Sequence, residues 1–138
     1  MKKLLIVILS LTLIFSVFAL PAHATSDSST EQEPSRFTYI NMASSNITPY
    51  GSTLYCRATL NGYSNVTKIE ILMTLQKKVL FWWTTEQSWA VSYYGYHYSF
   101  GESTTVGSGT YRLKSDFVAY SGSNSESTTV YSSEVKMN

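Results

Sequence analysis

Residues 68–76 read Lys68-Ile69-Glu70-Ile71-Leu72-Met73-Thr74-Leu75-Gln76. Ile69, Ile71, Met73 and Leu75 alternate with Lys68, Glu70, Thr74 and Gln76, and Leu72 alone breaks the pattern. A period of two turns every apolar side chain to one face, which is the mark of an antiparallel sheet with one dry side and one wet side. The same alternation recurs outward from this stretch, and no helical spacing of apolar residues follows residue 24. It predicts strands at 37–48, 53–61, 67–77, 82–92, 94–101, 110–121 and 128–137. Turn signals separate several of them: Pro49-Tyr50-Gly51, Asn61-Gly62, Gly107-Ser108-Gly109 and Ser121-Gly122-Ser123-Asn124. Seven short strands in one small domain predict an all-β, antiparallel β-sandwich.

Two local patterns sharpen that expectation. Leu54, Cys56 and Ala58 share one face of the second strand, and Gly109-Thr110-Tyr111-Arg112-Leu113 places a tyrosine two residues before an apolar core position. In immunoglobulin-like domains such a tyrosine fixes a corner between strands, so the expected topology is immunoglobulin-like. Cys56 and Leu113 then occupy the positions that a disulfide joins in antibody domains. Cys56 is the single cysteine of the chain, so the domain must be held by its core and its hydrogen-bond ladders.

The start of the chain has a different character. Lys2 and Lys3 precede an uncharged, apolar run over 4–20, and Pro21-Ala22-His23-Ala24 follows with small residues where a signal peptidase reads. This is the three-part form of a secretory signal over 1–24, with cleavage expected after Ala24 and release outside a bacterial cell. The polar, acidic stretch 25–35 reads as a flexible leader, and 36–138 as the domain. Losing Lys2 and Lys3 leaves 8 basic against 9 acidic residues, a balance without the cationic excess that nucleic-acid binding needs. No second long apolar run is present, so the mature chain is expected to carry no transmembrane segment.

Tyr39-Ile40, Gly62-Tyr63-Ser64, Thr67-Lys68-Ile69, Met73-Thr74-Leu75-Gln76-Lys77-Lys78, Trp89, Gly109-Thr110-Tyr111-Arg112, Ala119-Tyr120-Ser121-Gly122, Ser125-Glu126-Ser127 and Tyr131-Ser132 occur in that order. In these stretches the chain resembles a family of small secreted proteins from Gram-positive, mostly clostridial, bacteria that is classed as a domain of unknown function. The resemblance implies a small all-β exported protein and brings no activity with it. Val79-Leu80-Phe81-Trp82-Trp83 departs from the polar turn usual after the paired lysines.

Catalytic chemistry finds little footing. Cys56 and His97 could in principle act as nucleophile and base, but no flanking motif supports them. Glu70, Glu86, Glu102, Asp116, Glu126 and Glu134 stand singly, and no metal-ligand cluster or phosphate-cradling loop occurs. The expectation is a non-enzymatic protein without cofactor or metal. Aromatics carry the candidate ligand site: Tyr94, Tyr96, Tyr98 and Phe100 lie at spacing two and so share one face of a strand, where rings stack on sugars or pack inward as core. Lys77 and Lys78 precede Leu80, Phe81, Trp82 and Trp83. Those residues either form an exposed hairpin tip flanked by cations or begin the inward face of the fourth strand. The expected partner is cell-wall polysaccharide or a cell surface, met by Trp82, Trp83, Tyr94, Tyr96, Tyr98, Lys77 and Lys78. The alternatives are a membrane-active effector and a self-assembling extracellular protein.

Overall fold

The computed structural model describes residues 37–138; the expected signal segment, the leader and Arg36 lie outside the described residues. Eight strands follow in order: β1 (Ile40–Tyr50), β2 (Thr53–Gly62), β3 (Lys68–Val79), β4 (Trp82–Tyr94), β5 (His97–Thr105), β6 (Gly109–Ser121), β7 (Asn124–Tyr131) and β8 (Val135–Met137). They form two antiparallel sheets, β1-β2-β5 and β4-β3-β6-β7, with β8 extending the β7 edge of β6. The all-β sandwich expected from alternation is the observed architecture.

Two strand assignments differ from expectation. The expected strand 128–137 is two strands, because Ser132, Ser133 and Glu134 interrupt the pairing with β6. Asn124 to Ser127, polar enough to read as loop, are drawn into β7 by the ladder that β6 offers them. The expected strand 94–101 is shifted: β4 runs on to Tyr94, the chain crosses at Gly95, and β5 begins at His97. Gly95 holds φ at +148°, and a Cβ there would lie 2.7 Å from the Tyr93 ring, so the crossing needs glycine.

Alternation decides what faces inward. Ile69, Ile71, Met73 and Leu75 of β3 lie in one core with Leu54, Cys56, Ala58 and Leu60 of β2 and Tyr111, Leu113, Phe117 and Ala119 of β6. Leu72, which broke the pattern, points outward and is 42% exposed. Across the core, the Ser45 and Ser115 hydroxyls bond at 2.8 Å and Ser45 also donates to the Leu113 carbonyl, so the buried polar pair is satisfied. Tyr111 is buried, and its hydroxyl donates to the Gly107 carbonyl at 3.0 Å, tying β6 back to the loop before it.

The two open sides of the sandwich are closed differently. On the β4 and β5 side, Tyr93 and Tyr98 stack with centroids 4.3 Å apart. On the β1 and β7 side, the Glu126 carboxylate accepts the backbone N–H groups of Thr38, Tyr39 and Ile40 at 2.8, 2.8 and 2.9 Å. Burial raises the pKa of Glu126, but these three donors outweigh it and hold the carboxyl below its ordinary 4.5.

Ile71→Ala is expected to cost about 2–5 kcal/mol of stability, whereas Leu72→Ala, one residue away on the wet face, stays within about 0.5 kcal/mol; urea unfolding of both reads the face assignment. Glu126→Gln is expected to cost about 1–2 kcal/mol at neutral pH by weakening the backbone clamp. Because the folded-state pKa is depressed, the clamp contributes fully above the ordinary 4.5 and fades as pH falls through the lower folded value. The stability gap between Glu126→Gln and the parent therefore narrows in acid, which denaturation at pH 7 and pH 3 would measure.

Candidate functional site

β3 and β4 are joined by Leu80 and Phe81 alone, with Val79 paired to Trp82. A two-residue hairpin with positive φ at its first turn position normally uses glycine there, yet Leu80 holds φ at 55°. For a branched side chain that geometry is disfavoured by about 1–2 kcal/mol. The tip is also strongly apolar at its surface: Leu80, Phe81 and Trp82 are 77%, 87% and 64% exposed. The hairpin arrangement, rather than an inward start to β4, is what the chain adopts.

Trp83 does something else. A register shift between Leu75 and Gln76 lets Glu86 stand outside the pairing and turns Trp83 to the outer face beside Lys78. There the Arg112 guanidinium lies 4.1 Å from the Trp83 ring and 4.4 Å from the Tyr131 ring, while its Nε donates to Gln76 Oε1 at 2.9 Å. Trp83 is half-buried by this stack, so its faces are spoken for inside the molecule. Lys78 sits over the same ring and reaches Glu134 at 3.5 Å, and Lys77 lies over Tyr111 at 5.5 Å. Lys136, opposite Thr110, adds a fourth basic residue to this end of the sheet with Lys77, Lys78 and Arg112.

The tyrosine row is not a platform. Tyr94 ends β4, exposed on the outer face of the larger sheet beside Lys68, and Tyr96 lies exposed in the crossing. Tyr98 and Phe100 belong to β5 and turn inward against the core. The expectation of four rings on one strand fails because the chain changes sheets at Gly95. Tyr94 also lies about 40 Å along β4 from Trp82 at ~3.3 Å per residue, so the candidate residues form no single site.

Cys56 points into the core, where burial pushes its thiol up to about 11. His97 is exposed on the opposite face of the same sheet, paired with Asn61. Thiol and imidazole therefore do not meet. Among the described residues no group of three or more His, Cys, Asp or Glu is placed to hold a metal ion.

Two surface concavities lie among the described residues, one on each sheet. One, of about 470 Å³, lies over Leu72, Ala90 and Val118 with Glu70 and Asp116 at its margin. The other, of about 600 Å³, lies on the outer face of the smaller sheet around Arg57 and Gly101. Sequence reasoning passed over Arg57, Arg112 and Gly101; the available signal was a glycine inside an otherwise good strand. No family model, curated protein or solved structure matches the chain.

Trp83→Ala is expected to cost about 1–2 kcal/mol of stability by removing the ring that holds Arg112, whereas Trp82→Ala, exposed at the tip, stays within about 0.5 kcal/mol. Thermal unfolding of the two variants separates the structural tryptophan from the free one.

Proposed function

We propose that this chain is an exported, non-enzymatic β-sandwich of immunoglobulin-like topology that docks on an anionic membrane surface through the β3–β4 hairpin tip. The observation that carries this reading is the conjunction at Leu80: a disfavoured backbone conformation kept at the position where three consecutive, strongly exposed apolar side chains are presented. Strain of this kind persists where something other than folding stability is served.

Lipid explains the tip better than a stacked sugar does. Phe81 and Trp82 meet edge to face, 89° apart, so they offer no shared plane for a saccharide ring. Leu80 has no ring at all. Leucine, phenylalanine and tryptophan together match the boundary between headgroups and acyl chains, where tryptophan in particular resides. Lys77, Lys78, Arg112 and Lys136 lie on the strands behind the tip and give that end of the sheet a basic character suited to an anionic surface. A single small tip of this type binds reversibly. Among the described residues no helix is long and apolar enough to cross a membrane, and contact of this kind requires none.

Strand order β1-β2-β5 against β4-β3-β6-β7, with the Tyr111 corner, supports the immunoglobulin-like part of the proposal. The signal-like start and the resemblance to small secreted clostridial proteins support export. The inward, high-pKa Cys56 and its separation from His97 support a non-enzymatic role.

The exported chain, residues 25–138, is expected to sediment with vesicles containing phosphatidylglycerol and much less with phosphatidylcholine alone. Leu80→Gly is the decisive variant. Glycine relieves the positive φ, so the melting temperature should rise, while vesicle binding should fall several-fold with the lost side chain. Vesicle binding that Leu80→Gly leaves unchanged overturns the proposal, as does a wild-type chain that stays in the supernatant.

A further inference from the structure

The outer face of the smaller sheet carries one positive charge at its centre. Arg57 on β2 stands between Asn46 on β1 and Gly101 on β5, in one row across the sheet. The adjacent row is Thr48, Tyr55 and Ser103. These six residues line the concavity of about 600 Å³. Cys56 and Glu102 border it too, but alternation turns their side chains to the other face, so they contribute backbone.

Gly101 is the informative residue. Glycine weakens a strand interior, and it marks places where another group must come close to the backbone. Nothing in the fold requires it here. Gly101 is not among the glycines with positive φ, and an added Cβ would meet only the Cys56 carbonyl oxygen at 3.8 Å and Arg57 Nε at 4.0 Å, ordinary contact distances. What the missing side chain does is leave the Arg57 guanidinium open beside bare backbone.

Arg57 is also uncommitted, in contrast to Arg112. The ion pairs among the described residues engage Lys68, Lys78 and Lys114, and the stacking contacts of arginine engage Arg112. Arg57 takes part in none of them. A planar, five-donor fork exposed at the centre of a polar notch is suited to a carboxylate, which it can grip through two parallel bonds.

We infer that this notch binds a carboxylate-bearing sugar, the acidic residue of a glycan. Arg57 takes the carboxylate above Gly101. Tyr55, 51% exposed one row away, supplies a ring for a sugar face. Asn46, Thr48 and Ser103 supply neutral donors and acceptors for hydroxyl groups. One charge amid hydroxyl-matching groups corresponds to a singly charged, polyhydroxylated ring, whereas a phosphate polymer calls for a run of cations. The site lies on the opposite sheet from the hairpin tip and does not depend on the membrane proposal.

The test titrates residues 25–138, which contain the whole core, with a uronic-acid tetrasaccharide, with sialyllactose and with the carboxyl-reduced tetrasaccharide, followed by amide and arginine Nε chemical shifts. Shifts at Arg57, Gly101 and Ser103 are expected with one or both acidic sugars, and binding about tenfold weaker with the reduced form. Arg57→Gln should abolish binding. Gly101→Val should block it while leaving the melting temperature unchanged or higher, since valine favours a strand and a Cβ there meets its neighbours only at ordinary contact distances. Leu80→Gly should bind as the parent does. The inference is overturned by any of three results: neither acidic sugar binds, Gly101→Val binds normally, or acetate alone shifts the same residues at equal concentration.

Discussion

Everything in this molecule depends on one dry interface, the apolar row of β3 and β6 pressed against β2. Without a disulfide, burial of Ile69, Ile71, Met73, Leu75, Leu113 and Phe117 against Leu54, Cys56, Ala58 and Leu60 is what keeps two sheets together. Ser45 and Ser115 add a bond across that interface, and Tyr111 fastens the loop that leads into β6. The interface uses one face of each sheet. It therefore leaves the opposite faces and the connecting turns free to differ.

Those free surfaces show two kinds of polar chemistry. On the larger sheet several charges are engaged internally: Arg112 is stacked and bonded, Lys114 pairs with Asp116, and Lys68 pairs with Glu70 and lies over Tyr120. The Lys68 contact lowers the Glu70 pKa, and Tyr120 donates to the same carboxylate. On the smaller sheet Arg57 stands in a row with Gly101 and has no such partner among the described residues. The β3–β4 tip is different again, an apolar cluster on a backbone that glycine would suit better. A surface that satisfies its charges in one region and leaves them open in another has its contact sites where they are open.

Much of the fold was legible because alternation is a direct record of burial. The row from Ile69 to Leu75, the inward set Leu54, Cys56 and Ala58, and the corner tyrosine could all be read from spacing. The candidate site was less legible. Trp83 was grouped with Trp82, but a bulge one turn of the ladder away sends it to the outer face, and bulges leave no mark in the alternation of the neighbouring strand. The tyrosines were read as one row because spacing two continues through Gly95, where the chain in fact leaves one sheet for the other. Arg57 and Gly101 are 44 positions apart in sequence and became a site only when β2 and β5 paired.

By itself, then, the sequence determined the class of structure, the buried face of the central strands and the corner at Tyr111, because each is set by local period and by residue type. Only the tertiary structure decided which aromatics are committed and which are free, that Glu126 closes one side of the sandwich through three backbone donors, and that a glycine opens a notch beside an arginine. Those features depend on register and on sheet order. Both are set by contacts between residues far apart in the chain, which a period of two cannot encode.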